Sequence, residues 1–175
     1  MDSKFKKDYK CMMGDEFNFS VKTILNMLIY HHLKFMFLYR KYENKPGIIK
    51  RLILYHFTKK YGLEISVEAK IGENFYIGHP YNISIGPGAS IGNNVHIHKN
   101  CVIGVENRGK RKGIPTIGDN VWIGINSIIV GKIIIGDDVL IAPNSYVNFD
   151  VPSHSIVIGS PGKIIRKENA VKGYI

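Results

Sequence analysis

A histidine in an uncommon sequence context is the first candidate for chemistry in this chain. In the stretch FYIGHPYNISIGPG, residues 75–88, His79 stands among Ile-Gly pairs, where a glycine-rich strand has no evident need of an imidazole. A neutral imidazole can take the proton of a hydroxyl near neutral pH and return it to a leaving group, and such a base typically accelerates a reaction about 10²–10⁴-fold. His79 is therefore interpreted as either a general base or a polar residue at a bend.

Two further histidines and a cysteine are weaker candidates. In NNVHIHKN, His96 and His98 alternate about Ile97, which is expected to face inward, so both should point outward. They either line a substrate cleft one turn above His79 or face solvent. Cys101 falls on a small inward position and is expected in the core. No nucleophile stands out beside a base, and no cluster of His, Asp and Glu has metal-ligand spacing, so we predict no metal.

These residues lie in a repeat with a period of six. An aliphatic residue recurs every six positions from Ile65 to Val147, with a slip of two residues just after His79 and a gap at 104–116. A period of six fits neither an amphipathic helix nor a plain strand, but it suits short strands that turn a corner every six residues. The sequence predicts a mainly β fold, a parallel β-helix whose aliphatic residues fill a narrow prism. Glycine follows the aliphatic residue at positions 72, 78, 86, 92, 104, 118, 124 and 136.

The gap in the repeat predicts a protruding loop. The step from Ile103 to Ile117 is fourteen residues where six are expected, so eight residues must leave the prism within GVENRGKRKGIPT, residues 104–116. The loop is either a solvated excursion or a segment that reaches over a neighbouring ligand. Its charge and placement favour the second, with Lys110 and Arg111 contacting substrate.

The whole chain divides into a helical region at 1–62, the β-helix at 63–167 and a tail at 168–175. Residues 1–62 lack the period of six, and a turn at ENKPG, residues 43–47, separates two predicted helices. Histidines 31, 32 and 56 fall in this region and are interpreted as packing residues. Its longest apolar stretch, TILNMLIYHHL, is too short and too polar to span a bilayer.

Charge is concentrated at the N-terminal end. The chain carries a formal net charge of +10, and residues 1–62 hold 13 Lys and Arg against 5 Asp and Glu. Such a region could attract a phosphorylated substrate, anionic lipid or nucleic acid. Without a nucleic-acid recognition motif we predict no nucleic-acid partner, and peripheral membrane contact stays open. The lack of a disulfide framework and of a visible signal peptide leads us to expect a cytoplasmic protein.

The repeat resembles the hexapeptide-repeat acyltransferases. Within that family, LEISVEAKIGENFYIGHP and the segment from IGDNVWIGINS to GSPGKII resemble the serine O-acetyltransferases and their relatives in polysaccharide biosynthesis, over about residues 60–167. The resemblance implies a left-handed β-helix, acetyl-CoA as the acyl donor, and a homotrimer with active sites between subunits.

The resemblance also implies roles for individual residues. His79 would be the general base, and Glu64, fifteen positions upstream, the acid that orients it. Because eighteen residues make one coil, the two are expected on adjacent rungs. Contacts to coenzyme A are expected from Gly124, Ile125, Ala142, Pro143, Lys163 and Arg166, with the loop basic residues as an alternative phosphate site.

Two departures bear on the acceptor. Gly78 stands where the serine enzymes carry an acid beside the base, and Gly113-Ile114-Pro115 replaces an Arg-His-Pro triplet. An amino-acid acceptor needs partners for both of its charges, because an unpaired charge in a site is costly. We therefore expect a sugar hydroxyl in surface-polysaccharide biosynthesis as acceptor. The alternatives are an L-serine O-acetyltransferase of cysteine biosynthesis and a non-catalytic β-helix scaffold.

Overall fold

The N-terminal region is helical. The computed structural model describes residues 3–175. Its helices are α1 (Ser3–Met13), α2 (Val21–Ile29), α3 (His31–Asn44) and α4 (Ile48–Tyr61). Helix α1 is not foreseen by the sequence, and the first predicted helix breaks at Tyr30, whose extended backbone separates α2 from α3. Helix α4 ends as predicted at Gly62, whose φ of 67° is the left-handed conformation that glycine adopts easily at a helix end.

Fifteen short strands then build a three-sided prism. The first sheet contains β1 (Leu63–Ile65), β4 (Ile83–Ile85), β7 (Val102–Gly104), β10 (Ile128–Val130) and β13 (Tyr146–Val147). The second contains β2 (Lys70–Ile71), β5 (Ser90–Ile91), β8 (Thr116–Ile117) and β11 (Ile134–Ile135). The third contains β3 (Tyr76–Gly78), β6 (Val95–His98), β9 (Val121–Ile123), β12 (Val139–Ile141), β14 (Ser155–Ile158) and β15 (Lys163–Arg166).

The strand register confirms the predicted β-helix. All neighbours are parallel except β15, which runs antiparallel to β14. Ser84 pairs with Val102, a regular coil of eighteen residues. Leu63 pairs with Ile83, which leaves two extra residues in the first coil, and Val102 pairs with Ile128, which leaves eight extra at the loop. The slip and the gap in the repeat are therefore both real insertions.

The aliphatic residues form a continuous interior column. Ile77, Ile97, Ile123 and Ile141 stack in the third sheet and are at most 2% exposed. Burial of such a side chain stabilises the fold by about 1.5–3 kcal/mol relative to leaving it exposed. Cys101 is also fully buried, as predicted for an inward position.

Glycines at one corner allow successive coils to approach closely. A Cβ on Gly92 would lie 2.3 Å from Asp119 Oδ1 and 2.5 Å from the carbonyl oxygen of Gly118. Gly72 stands in the same relation to Gly92, its neighbour in the next coil. No side chain fits there without displacing backbone, which explains why glycine recurs in the repeat.

A buried ion pair fastens the helices to the prism. Arg40 of α3 donates from Nε to Asp8 of α1 at 2.8 Å and from Nη1 to the carbonyl oxygen of Ile71 at 2.7 Å. Both charged side chains are fully buried. Tyr39 adds a hydrogen bond to the carbonyl oxygen of Ala69 at 2.8 Å. These contacts fix the position of α1 and α3 against the first coils.

Apolar side chains remain exposed on α2 and α4. Phe19, just before α2, is 84% exposed, and Leu28 within it is 62% exposed. Ile48, Ile49 and Leu52 of α4 are similarly open. Among residues 3–175, none of the helices combines the length and apolarity needed to cross a bilayer.

Candidate active site

His79 lies in the two-residue insertion between β3 and β4. Its backbone φ is 50°, in the left-handed region that Asn, Asp and His enter more often than other residues with side chains. Asn82, also left-handed with φ 53°, closes the insertion before β4 begins. Asn82 takes the regular corner position that Asn100, Asn126 and Asn144 occupy in later coils, so the left-handed His79 is the residue that the insertion adds.

Helix α3 holds the insertion from outside the prism. The Nε2–H of His31 donates to the carbonyl oxygen of Pro80 at 2.9 Å. The His31 ring stacks on Tyr61 with 3.8 Å between ring centroids and meets Tyr81 edge-on at 5.1 Å. His31 is therefore more than the packing residue that the sequence suggests, because it fixes the segment that carries His79.

His79 opens into a cleft of about 480 Å³ between the helices and the third sheet. The Nδ1 atom of His32 is buried there without a hydrogen-bond partner in the described chain. Burial, with a smaller contribution from His31, lowers the pKa of His32 to about 4, so this imidazole is neutral. The cleft is lined by Met12, Met13, Ile29, Tyr30, His31, His32, Tyr76, Ile77, His79, Pro80 and Tyr81. Sequence reasoning misses the helical lining, since the repeat carries no signal for where the helices dock.

Of the two histidines of β6, His98 is a neighbour of His79, whereas His96 contacts Tyr76 and the Sγ atom of Cys11. His96 stacks on Tyr76 at 4.7 Å, and burial lowers its pKa to about 4. His98 lies 6.4 Å from His79 between ring centroids, and its Nδ1 is 2.9 Å from the carbonyl oxygen of Ile123. Burial, more than the nearby His79, lowers the pKa of His98. Both rings are half-buried beside Tyr76 and are not among the residues that line the cleft, so their contact with substrate stays a prediction.

Glu64 lies apart from His79 in the described chain. It projects from β1 on the outer face of the first sheet, where its Oε2 accepts a hydrogen bond from Ser84 Oγ at 3.4 Å. His79 instead follows a strand of the third sheet, and no ion pair within 4.0 Å among residues 3–175 joins the two. The expected approach of Glu64 to the imidazole on adjacent rungs is therefore not present.

The basic loop folds against its own coils. Glu106 and Gly113 exchange two backbone hydrogen bonds of 2.9 Å, and Arg111 donates from Nη1 to the carbonyl oxygen of Asn148. The loop leaves the corner between the first and second sheets, whereas His79 lies at the corner between the third and first. A single chain therefore does not bring Lys110 and Arg111 to His79.

Four of the residues expected at coenzyme A share one corner of the prism. Gly124 and Ile125 follow β9, and Ala142 and Pro143 follow β12 in the next coil. The Asn144 amide donates to the Ile125 carbonyl at 2.9 Å, which joins the two coils there.

The two basic residues expected to contact coenzyme A, Lys163 and Arg166, lie at opposite ends of β15. Lys163 pairs with Ile158, close to the corner that carries Ala142. Arg166 pairs with Ser155 at the other end of the strand and donates to the Ser153 carbonyl at 2.9 Å. Only Lys163 therefore lies near the four corner residues.

The C-terminal tail folds back on the third sheet. His154 Nδ1 lies 2.8 Å from Asp138 Oδ2 and 3.3 Å from Glu168 Oε2, and Tyr174 packs on Trp122 at 4.8 Å. The hydrogen bond to Asp138 is the main cause that raises the pKa of His154. Within residues 3–175 these three side chains form a cluster whose ligand atoms all lie within 4.8 Å of one another. The sequence gives no sign of it, because the three residues are brought together only by the turn of the coil and the tail.

Comparisons with known proteins agree with this architecture. The family described as bacterial transferase hexapeptide (six repeats) matches residues 114–148. A serine acetyltransferase of Staphylococcus epidermidis is 38% identical over 130 residues, 74% of this chain and 61% of the relative. That of Staphylococcus xylosus is 36% identical over 148 residues, 85% of this chain and 65% of the relative. The chain thus spans less than two thirds of the length of either relative.

Solved structures give the same fold. The Neisseria gonorrhoeae serine acetyltransferase in complex with serine has a TM-score of 0.74 at 26% identity, and the match covers 91% of this chain and 67% of that one. The soybean apoenzyme has a TM-score of 0.72 at 26% identity, covering 83% of this chain and 62% of that one. The parallel β-helix predicted from the repeat, with the left hand that the family resemblance implies, is thereby confirmed.

Proposed function

This chain belongs to the hexapeptide-repeat acyltransferase superfamily, and on that premise we propose that it is an acetyl-CoA-dependent O-acetyltransferase with L-serine as acceptor. The observation that carries the proposal is the position of His79. The imidazole of His79, whose segment is held from outside by His31, faces a cleft large enough for a small acceptor.

Serine takes precedence over the sugar acceptor expected from the sequence. The similar proteins above are serine acetyltransferases, one of them solved in complex with serine, and they lend no support to a sugar acceptor or to membrane contact. A sugar hydroxyl remains the second candidate on one observation. Gly78 removes the carboxylate that the family resemblance places beside the base, so an ammonium group loses one charged partner.

The reaction is a direct transfer. His79 takes the proton of the acceptor hydroxyl while that oxygen attacks the thioester carbonyl carbon. The carbon–sulfur bond then breaks, and the imidazolium returns the proton to the thiolate of coenzyme A. No cysteine is suited to an acyl-enzyme: Cys101 is buried and donates to the Gly124 carbonyl at 2.9 Å, and burial raises the pKa of Cys11 to about 11.

The other roles proposed for this site are contact with the substrate, orientation of the base and binding of coenzyme A. Within the described residues of a single chain, the loop residues and Glu64 do not contact His79. We infer a homotrimer in which the loop residues Lys110 and Arg111 serve the site of a neighbouring subunit, since they leave a different corner from His79. Glu64 is the proposed orienting acid, a role that requires a closer approach to the imidazole than its contact with Ser84 allows. Gly124, Ile125, Ala142 and Pro143 would hold the pantetheine arm, and Lys163 and Arg166 the phosphates.

An acceptor screen tests the proposed function. Purified protein with acetyl-CoA is assayed for release of free thiol in the presence of serine or of free, nucleotide-linked and lipid-linked sugars. We expect serine to be the best acceptor. A sugar that is acetylated far more efficiently would move the assignment to the second candidate, and acceptor-independent thiol release alone would contradict transfer.

A further inference from the structure

Gly78 and His98 form a matched pair on the third sheet. The two residues are register partners in β3 and β6. A Cβ on Gly78 would lie 2.4 Å from Cδ2 and 2.7 Å from Nε2 of His98, so the imidazole occupies the space that a side chain at position 78 would need. A carboxylate at position 78 and this placement of His98 therefore exclude each other.

The ring of His98 is held in place by its neighbours, and one of its two nitrogen atoms has no hydrogen-bond partner in the described chain. Its Nδ1 lies 2.9 Å from the carbonyl oxygen of Ile123, so Nδ1 carries the proton and donates it. Nε2 is then the acceptor of a neutral imidazole, and the hydrogen bonds of the described chain give it no partner. The ring packs against Trp122 at 4.7 Å and Tyr76 at 6.0 Å between centroids, which limits its rotation.

The free nitrogen lies beside position 78, the residue before His79, since a Cβ on Gly78 would be 2.7 Å from it. The His79 and His98 ring centroids lie 6.4 Å apart with 44° between the ring planes, so the two rings are neighbours and a small substrate bound beside His79 lies within reach of His98. Burial keeps His98 neutral, because it lowers the pKa of this imidazole.

We propose that Nε2 of His98 accepts a hydrogen bond from an N–H or O–H group on the carbon next to the one that bears the reacting hydroxyl. The substrate class is thus a vicinal amino alcohol or a vicinal diol, and serine belongs to it through its amine. This inference rests on the proposed function. A neutral acceptor in place of a carboxylate binds an amine or a hydroxyl, and it removes the charge selectivity that a carboxylate would give.

Three small acceptors of matched size test the proposal. Serine, glycerate and 3-hydroxypropionate share a carboxylate and a primary hydroxyl, and carry an amine, a hydroxyl or a hydrogen on the adjacent carbon. For the wild-type enzyme we expect 3-hydroxypropionate to have at least about a tenfold lower kcat/KM than the better of the other two, the loss of one hydrogen bond. For a sugar acceptor, the matched pair is the hexose and its analogue deoxygenated next to the acetylated carbon.

Variants at positions 98 and 78 test whether His98 causes the preference for an amine or hydroxyl on the adjacent carbon. His98→Ala should raise the acceptor KM about tenfold or more, leave the acetyl-CoA KM unchanged and abolish the preference. Gly78→Ala should do the same, because its methyl group displaces the imidazole. Gly104→Ala is the matched control, since Gly104 also ends a strand, and its added methyl group would meet Val130 and Val102.

A second readout does not depend on turnover. In ¹⁵N NMR, His98 should be protonated at Nδ1, and serine or glycerate should shift its Nε2 resonance while 3-hydroxypropionate should not. An unchanged preference in His98→Ala, with the wild-type enzyme active, overturns this inference alone. Absence of turnover with every acceptor overturns the proposed function and, with it, the inference.

Discussion

The imidazole of His31 joins the helical region to the insertion that carries His79 through one hydrogen bond, from its Nε2–H to the carbonyl oxygen of Pro80 at 2.9 Å. The same ring stacks on Tyr61, the last residue of α4. The helices therefore take part in placing His79, whose left-handed backbone needs support from its surroundings.

Removing the His31 imidazole should destabilise the protein and hold His79 less firmly. We expect His31→Ala to lower the free energy of unfolding by about 1–3 kcal/mol, the sum of one hydrogen bond and one ring stack. It should also lower kcat/KM several-fold, because His79 is held less well. Chemical denaturation and steady-state kinetics measure the two effects. His56→Ala, on the exposed side of α4, is the control, and equal behaviour of the two variants would contradict the bracing role.

The glycine corner gives a stability prediction independent of function. Gly92→Ala should lower the free energy of unfolding by about 3 kcal/mol or more, since its Cβ would meet the backbone of Gly118. Gly47→Ala serves as control, because an added Cβ there has no heavy atom within 4 Å. Thermal or denaturant unfolding that finds the two variants alike would show that the coils do not approach as closely as described.

The role of Glu64 is open to a direct kinetic test. If its carboxylate orients His79 in the assembled enzyme, Glu64→Gln should lower kcat by more than about tenfold with little change in KM, because a neutral amide cannot stabilise the imidazolium. Ser84→Ala removes the present hydrogen-bond partner and should leave kcat nearly unchanged. A Glu64→Gln variant with wild-type kcat would remove Glu64 from the mechanism.

The contact between His154 and Asp138 should depend on pH. The hydrogen bond to Asp138 raises the pKa of His154 above its ordinary value of 6.5. For Asp138, burial opposes the shift, but the hydrogen bond from His154 and the Val171 amide hold the pKa below the ordinary 3.8. The stabilisation by the pair is therefore present between these ordinary values, is lost as pH rises through the raised pKa of His154, and is lost as pH falls through the lowered pKa of Asp138.

An NMR titration of the His154 ring checks this sign. Its pKa should lie above 6.5 in the wild-type protein and fall toward that value in Asp138→Asn. Loss of the proton should weaken the contact of His154 with Asp138 and Glu168 but leave the tail in place, because Ala170 and Val171 are buried and the Val171 amide donates to Asp138. The fluorescence of Trp122, the single tryptophan, should therefore stay unchanged, because its contact with Tyr174 is kept. The same His154 pKa in both proteins would mean that the two side chains do not interact.

The sequence predicts the prism well because the six-residue repeat corresponds directly to one face of the prism. Each inward aliphatic residue must return after one face of the prism, so the two-residue slip after His79 and the eight-residue gap after Ile103 are readable as insertions. The surroundings of His79 are not readable in this way. His31 and His32 reach the cleft through the docking of α3, which depends on tertiary contacts such as Arg40 with Asp8.

The relation of Gly78 to His98 can be predicted from the sequence only in part. The absence of an acid at position 78 is visible in the sequence and underlies the expectation of a sugar acceptor, which the similar proteins do not support. The reason for the glycine appears only in the register, which sets His98 directly beside it in the next coil. Likewise, the fifteen residues between Glu64 and His79 suggest adjacent rungs, yet the two residues lie on different sheets.

The most direct test of the central claim compares thiol release from acetyl-CoA by the wild-type enzyme and His79→Ala at saturating serine, with His56→Ala as control. We expect serine-dependent turnover in the wild-type and control proteins and a kcat lowered by about 10²–10⁴-fold in His79→Ala, with its fold intact by circular dichroism. Equal turnover in the His79→Ala and wild-type proteins would contradict that claim.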